Sequence, residues 1–176
     1  MLRIVLPSLF VVIIAGCAAV DYIQPNSYTS YQPLENTQQY LTLFGQGTVY
    51  YRCASDNEGT FYKFENIKVD LFNRSHELIA ELSGAQQSIA HRDGSSIKGL
   101  KPLKSGKTEA SQKENSLPDV LFGTIPSSAS KQGVFTDAKY VTRSYTVGGL
   151  PKKLCKRNEI GKKINVPFKA KYIFWK

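Results

Sequence analysis

The sequence predicts an all-β domain, an antiparallel β-sandwich or β-barrel of about eight to ten strands. Three observations favour this fold class. Aromatic residues make up 11% of the chain, with ten Tyr and nine Phe, and aromatic residues are enriched in strands. The apolar residues occur in short runs, and the clearest of these alternate with polar residues at a period of two. Turn residues separate the runs at nearly regular spacing, as they do in sandwiches and barrels.

The first half of the chain predicts a series of hairpins. Thr48–Cys53 is a run typical of strands, Asn57–Gly59 is a turn, and Thr60–Phe64 is the expected hairpin partner. The stretch from Ile67 to Leu71 alternates apolar and polar residues, which predicts a half-buried strand. Further strands are expected at Glu77–Leu82, Gln87–His91, Ser96–Leu100 and Val120–Phe122, with a tight Asp93-Gly94 turn between the second and third of them.

Other segments have less regular patterns. Leu34–Phe44 predicts a short helix, which Gly45-Gln46-Gly47 would end. Three more expectations concern the second half of the chain: a long exposed loop over 101–116, the longest strand over 134–147, and a hairpin of 162–166 with 169–175 that bends at Pro167.

The first 35 residues predict an export signal followed by a tether. Arg3 and the apolar run Ile4–Ala15 have the n-region and h-region of a secretory signal, and the run is too short for a membrane-spanning helix. Ile14-Ala15-Gly16-Cys17 resembles the bacterial lipobox, in which the cysteine is acylated and becomes the first residue of the mature protein. The alternative is an ordinary signal peptide cut near Ala19. Ala18, where inner-membrane retention would prefer Asp, favours the outer membrane if the enteric sorting rule applies.

These observations predict three parts of the chain. Residues 1–16 are a lipoprotein signal peptide, residues 17–35 are the lipidated Cys17 with a flexible tether, and residues 36–176 are a single domain with a polar, basic loop near 101–116. The tether contains Tyr22, Tyr28 and Tyr31, which could instead pack onto the domain.

The cysteines are three in number, so acylation of Cys17 would leave Cys53 and Cys155 as an even pair in an exported chain. An oxidising periplasm makes a disulfide the default for such a pair, and two free thiols are the alternative.

The positive charge is concentrated at the C-terminal end. The formal net charge is +9, and residues 151–176 hold nine Lys and Arg against the single acid Glu159. Such a gradient can attract an anionic envelope surface or an acidic protein partner, although a solvated surface that serves solubility is the simpler interpretation. A possible basic or aromatic contact face comprises Lys152, Lys153, Lys156, Arg157, Lys169, Lys171 and Trp175. No nucleic acid is expected as a partner of a periplasmic domain, and the oligomeric state is not predicted.

The sequence contains no cluster of residues that names a reaction. His76 and His91 have no neighbours at metal-ligand spacing, and His91 is expected to be an exposed turn residue beside Asp93. Nucleophile-elbow, P-loop and dinucleotide-binding motifs are absent from the sequence. The expectation is therefore a protein without catalytic residues, cofactor or metal.

Four stretches resemble a family catalogued as domain of unknown function 3455, whose members are secreted β-proteins of bacteria and fungi. The quoted residues are Gly133-Val134-Phe135, Tyr140–Arg143, Thr146–Pro151, Cys155, Gly161, Val166-Pro167-Phe168, Ala170, Tyr172 and Phe174-Trp175, with Gly47–Cys53 and Asp93-Gly94-Ser95 upstream. The resemblance covers about residues 45–176 and implies a β-sandwich or barrel with a Cys53–Cys155 disulfide. It implies no chemistry. Members usually carry a His, a Gly-Pro and a Trp before the Asp-Gly-Ser, whereas residues 83–91 of this chain read Ser-Gly-Ala-Gln-Gln-Ser-Ile-Ala-His, and members have Pro-Trp where this chain has Pro118-Asp119.

Ser83-Gly84-Ala85, after the strand that ends at Cys53, also resembles the periplasmic inhibitors of c-type lysozyme. Those are β-barrel lipoproteins with a Ser-Gly loop that enters the lysozyme cleft, but the Lys-rich tail is unexpected in an inhibitor of a basic enzyme. Three hypotheses follow: a membrane-anchored envelope lipoprotein that acts as a non-catalytic binding or structural module, a lysozyme inhibitor, and a small-ligand carrier or unrecognised enzyme.

Overall fold

The computed structural model describes residues 31–33, 36–106 and 114–176, which form one closed barrel. Its eight strands run in chain order around the ring, each antiparallel to its neighbours, and β8 pairs with β1 to close it. The all-β prediction is confirmed, and of the two architectures the barrel is the correct one. The strands are β1 (Gln39–Asp56), β2 (Gly59–Phe72), β3 (Leu78–Ser83), β4 (Ser88–His91), β5 (Ser96–Gly106), β6 (Asp119–Pro126), β7 (Tyr140–Gly148) and β8 (Lys163–Trp175).

The long strand β1 closes the ring because it is paired on both sides. It pairs with β2 on one side and with β8 on the other from Phe44 to Arg52. The hairpin expected around Asn57–Gly59 is confirmed, with Cys53 opposite Tyr62. The helix expected over Leu34–Phe44 is wrong from Gln39 onward, because alternate residues of this segment face the interior and the outside of the barrel. Residues 34 and 35 lie outside the described ranges.

The glycines expected to end that helix instead lie within β1. A Cβ atom on Gly47 would collide with the carbonyl oxygen of Lys68, and one on Gly45 would collide with the ring of Tyr172 and with Val69. These positions therefore require glycine because β1 approaches its neighbours closely inside a small closed barrel.

The interior of the barrel is filled by apolar side chains from all eight strands. Alternation along each strand places every second residue inward, as expected for a barrel. The most deeply buried are Leu43, Val49, Ile67, Val69, Leu71, Leu82, Ile89, Ile97, Phe122, Val141, Phe168, Tyr172 and Phe174.

The C-terminal hairpin is a wrong prediction, because 163–175 is the single strand β8. Pro167 is exposed on the outer face and pairs with Thr48, while its carbonyl oxygen accepts a hydrogen bond from the Gly149 amide. β7 ends at Gly148, so the missing N–H of Pro167 falls where the ladder with β7 stops and costs no hydrogen bond there.

Two other expectations are corrected. The exposed loop over 101–116 is wrong for 101–106, which belong to β5 and pair with β6, and residues 107–113 lie outside the described ranges. The strand expected over 134–147 begins only at Tyr140, and Phe135 instead lies in a turn, buried against the core. β1, with 18 residues, is the longest of the described strands.

The Cys53–Cys155 disulfide is present, with the two Cα atoms 5.6 Å apart. It joins the C-terminal part of β1 to the connection between β7 and β8. The two cysteines are 102 residues apart in the chain, and closing a loop of that length stabilises the fold by about 4–5 kcal/mol in the chain-entropy account. The short 3-10 helix Arg157–Glu159 follows the disulfide, and the amide of Gly161 donates to the carbonyl of Cys53.

Tyr31 packs against the barrel rather than extending from it. Its side chain is buried, its carbonyl accepts a hydrogen bond from the Thr142 hydroxyl at 2.8 Å, and the Lys104 ammonium lies 5.9 Å from its ring centroid. The packing of tyrosine onto the domain is thus confirmed for Tyr31. Tyr22, Tyr28, Cys17 and the signal segment lie outside the described residues. Among the described residues, no helix is long and apolar enough to cross a bilayer.

The Asp93-Gly94 turn is confirmed, and Asp93 holds a second loop against it. The carboxylate accepts hydrogen bonds from the amide and hydroxyl of Ser95, at 2.7 and 2.6 Å, and from the amide of Val134 at 2.9 Å. The Ser95 hydroxyl bond and the Val134 amide hold the pKa of Asp93 well below its usual range. One carboxylate therefore ties the β4–β5 turn to the β6–β7 connection.

We expect Asp93→Asn to destabilise the protein at neutral pH and to remove part of its acid sensitivity. The folded-state pKa of Asp93 is depressed, so its contribution is present above the unfolded carboxyl pKa of about 3.9 and is lost as pH falls through the folded pKa. Urea unfolding should show a loss of about 1–3 kcal/mol at neutral pH. The difference in free energy of unfolding between the original protein and the variant should shrink toward about pH 2. An equal gap at both pH values would contradict this role.

Candidate functional site: a basic aromatic groove on the outer face of the barrel

The closed ladder places four side chains in one row across the outer surface. Phe44 of β1 lies between Phe72 of β2 and Lys171 of β8, and Lys171 is followed by Ser144 of β7. The neighbouring row contains Asp70, Gln46, Lys169 and Val147 in the same order of strands. Residues that are far apart in the chain therefore form one continuous outer face.

This face contains a groove of about 700 Å³, which we call the aromatic groove. Phe44, Phe72 and Tyr145 form its apolar surface, and Phe44 is 42% exposed although it is a large apolar residue. The loop between β2 and β3 forms one wall. The residues that line it are Phe44, Gly45, Gln46, Phe72, Asn73, Arg74, His76, Tyr145, Lys169, Ala170 and Lys171.

The charged groups of the aromatic groove are of one sign. Arg74 and the two lysines of β8 line it, His76 stands beside Arg74, and none of the described lining residues is acidic. Asp70 lies next to Gln46 in the ladder register, outside the lining. Apolar side chains with cations among them lower the cost of bringing in an anion that carries apolar groups.

A β-bulge positions Tyr145 at the groove. The register between β7 and β8 shifts between Ser144 and Val147, so β7 has one extra residue there. Tyr145 has a φ of 54°, in the left-handed region that side-chain-bearing residues rarely adopt. The Lys171 ammonium lies 5.5 Å from the Tyr145 ring centroid, within cation–π distance. Bulges of this kind redirect a side chain, and strained backbone is concentrated at functional sites.

A second groove of about 470 Å³ continues from the first along β8, and we call it the side groove. Gln46 and Lys169 line both grooves. Apolar residues of the side groove include Val147, Leu150 and Val166, and its charged lining residues are Lys152, Lys169 and Glu114. Together the two grooves run from Lys171 past Pro167, roughly 13 Å of strand.

The predicted contact residues are distributed over three places. Lys169 and Lys171 lie in the aromatic groove, and Lys152 lies in the side groove. Lys153, Lys156 and Arg157 are exposed in the connection between β7 and β8 and line neither groove.

Trp175 is a correction, because it is buried and cannot act as an exposed contact residue. It faces outward from β8 as the alternation predicts, but its indole N–H donates to the Thr142 hydroxyl at 2.9 Å, and Tyr31 is bonded to the same hydroxyl. The sequence alone does not show that Trp175 is buried by these contacts. His91 is a second correction: its side chain is only 8% exposed, with Nδ1 2.8 Å from an Asp93 oxygen and its ring edge-on to Phe135.

Phe44, Phe72 and Tyr145 are groove residues that the sequence pattern does not single out. Phe44 lies in the segment for which a helix is expected. Leu43, Phe44 and the two glycines after them are also compatible with a strand. The position of Tyr145 depends on a β-bulge, which the sequence pattern does not indicate.

Among the described residues two charged side chains are buried, Asp119 of β6 and, in the barrel interior, Arg143 of β7. Its guanidinium lies 5.3 Å from the Phe122 ring centroid and 5.8 Å from that of Phe168, and it donates to the carbonyl of Pro118 at 3.1 Å. Burial lowers the pKa of Arg143, and burial raises the pKa of Tyr51 and of Tyr172 to about 12 each. The Tyr51 hydroxyl donates to the carbonyl of Gly149 at 2.6 Å. These contacts connect the interior with the loops that cover this end of the barrel.

No group of three or more His, Cys, Asp or Glu positioned to hold a metal ion occurs among the described residues. The described lining residues of the aromatic groove offer apolar contact, cation–π contact and charge-assisted hydrogen bonds.

The fold and the groove define a closed eight-stranded β-barrel with a basic aromatic surface site. The model of the family described as Protein of unknown function (DUF3455) matches residues 84–176, more than half of the chain. The chain belongs to that family. The match runs from the β3–β4 turn to the end of β8, so it includes Tyr145, Lys169 and Lys171 but begins after Phe44 and Phe72. Searches of curated proteins and of solved structures found no match.

We expect Tyr145→Val to destabilise the protein more than Tyr145→Asn does. Both changes remove the ring, but asparagine tolerates the left-handed backbone and a β-branched residue does not. The difference should be about 1–2 kcal/mol in the free energy of unfolding measured with urea. Equal stability of the two variants would mean that the bulge is not retained in solution.

Proposed function

We propose that this protein is a membrane-anchored envelope lipoprotein that acts as a non-catalytic binding module. In this proposal Cys17 carries the lipid anchor, the outer membrane is the location, and the aromatic groove is the surface that engages an anionic partner of the envelope. The observation that supports this proposal is the aromatic groove, in which Phe44, Phe72 and Tyr145 lie beside cationic side chains.

The arrangement of the barrel supports a role for the outside surface. The interior is occupied by side chains such as Phe122, Tyr172 and Phe174, so it offers packing rather than a binding space. On the outer face, by contrast, the structure maintains an exposed Phe44 and a backbone outlier at Tyr145. Exposed apolar residues rimmed by polar groups mark interaction sites.

The binding proposal is tested by a photo-crosslinking amino acid at Gln46, which lines both grooves. Irradiation of cells that make this variant should give one discrete adduct, and Lys169→Gln with Lys171→Gln should remove it. The matched control carries the crosslinker at Lys98, an exposed position on β5 that lines neither groove. Identical products from both positions, or none from Gln46, would refute the proposal.

The anchor is tested separately. Cys17→Ser should prevent acylation, so the protein should leave the membrane fraction and lose the mass of the lipid in intact-protein mass spectrometry. Cys17→Ser protein that still fractionates with the membrane and carries the lipid would exclude this anchor.

Inhibition of c-type lysozyme is the second candidate function. Ser83 ends β3, and Gly84-Ala85 begin the turn that leads to β4, with Gly84 at a φ of 88° and open space around it. A turn presented in this way can enter a cleft. Titration of the purified protein against c-type lysozyme should then give stoichiometric inhibition that Gly84→Val abolishes. Full lysozyme activity in the presence of excess protein would end this hypothesis.

A further inference from the structure

We propose that the aromatic groove binds a single-chain amphiphile, an acyl or alkyl chain with one phosphate or carboxylate headgroup. The inference rests on the proposed binding function and specifies its ligand class. The chain would lie on Phe44, Phe72 and Tyr145, and the headgroup would contact the cations that line the same groove.

The floor of the groove fits an apolar chain. Phe44 and Phe72 are direct neighbours in the ladder register, and the bulge brings Tyr145 to the other side of Lys171. The side groove extends this surface with Val147, Leu150 and Val166. An apolar chain gains affinity in proportion to the area that it buries on such a floor, about fourfold for each fully buried methylene group.

The cations of the groove fit an anionic headgroup, and Lys171 lies between Phe44 and the bulge that carries Tyr145. Lys169 and Lys171 are two residues apart on β8, so both project from the outer face of the barrel. Arg74 supplies a third cation from the β2–β3 loop, and its guanidinium can bind phosphate or carboxylate with two hydrogen bonds. None of the described lining residues of the aromatic groove repels an anion.

The backbone around the groove favours an amphiphile over an acidic peptide. β1 is paired with β2 and with β8 on its two sides along the groove, so this part of the barrel presents no open strand edge. A peptide lying on the aromatic floor would leave its own N–H and C=O groups without partners, which is costly on an apolar surface. An alkyl chain has no such groups. Recognition by strand addition is therefore not available at this site.

Equilibrium dialysis of dodecyl phosphate against the full chain in phosphatidylcholine nanodiscs tests the proposal, with empty nanodiscs as the background. We expect saturable binding of one molecule per chain at concentrations below micelle formation. Octyl phosphate should bind at least about tenfold more weakly, because it has four fewer methylene groups to bury. Dodecanol and inorganic phosphate should each bind more weakly than dodecyl phosphate, because each lacks one half of the ligand.

Two groove variants and one control locate the binding. Lys171→Gln should weaken dodecyl phosphate binding about tenfold or more through the lost charge-assisted contact. Phe44→Thr should reduce the dependence on chain length, and it should fold normally because Phe44 is exposed on a strand. Lys98→Gln, outside both grooves, should bind like the original protein. Urea unfolding midpoints confirm that all three variants are folded.

Several results would overturn the proposal. Binding that is unchanged in both groove variants would place the ligand elsewhere, and inorganic phosphate that binds as well as dodecyl phosphate would reduce the site to an anion site. Binding to anionic vesicles without any binding of monomeric dodecyl phosphate would assign the cations to a membrane surface. If dodecyl phosphate does not bind but the Gln46 crosslinker still gives a groove-dependent protein adduct, the ligand class is wrong and the binding function stands.

Discussion

The pairing of β8 with β1 is the constraint on which the rest of the structure depends. It closes the ring and joins the last 13 residues of the ladder to the first long strand, so neither strand keeps an open edge along this pairing. A ring of eight strands has an interior just wide enough for side chains. Gly45 is required by the same closure because a Cβ atom there would collide with Tyr172 of β8, whereas Gly47 is required by the close approach of Lys68 in β2. Closure therefore assigns the inward side chains to packing and leaves the outward ones available for binding.

Arg143 is the main exception to the apolar interior. A buried guanidinium is costly unless its charge and its donors find partners. Here the faces of Phe122 and Phe168 and the carbonyl of Pro118 surround it. These three contacts come from β6, β8 and the segment before β6, and Tyr51 of β1 bonds to the neighbouring Gly149 loop. The charge thus connects elements at one end of the barrel, and its burial makes it part of the interior architecture rather than of the surface groove.

The groove on the outer face depends on two features, one that joins residues far apart in the chain and one that is local. Cross-strand register brings Phe72, Phe44 and Lys171 side by side, although they are spread over about 127 positions of the chain. The bulge in β7 then adds Tyr145 by one local change of backbone. Lys169 and Lys171 were expected to face outward from strand alternation alone, and they do. Trp175 follows the same alternation but is buried, and its indole N–H is bonded to the Thr142 hydroxyl, which in turn donates to the carbonyl of Tyr31.

Local pattern in the sequence determined the fold class, the hairpins around Asn57–Gly59 and Asp93-Gly94, and the direction in which the β8 lysines point. These features follow from alternation and turn chemistry within a few residues. The resemblance to its family also identified the Cys53–Cys155 pair correctly. Only the tertiary structure decided between sandwich and barrel, converted Gln39–Phe44 into strand, buried Trp175, covered most of the His91 side chain, and assembled the aromatic groove. Each of these depends on which distant strand lies alongside, and closure of a sheet is a long-range event that short-range periodicity does not encode.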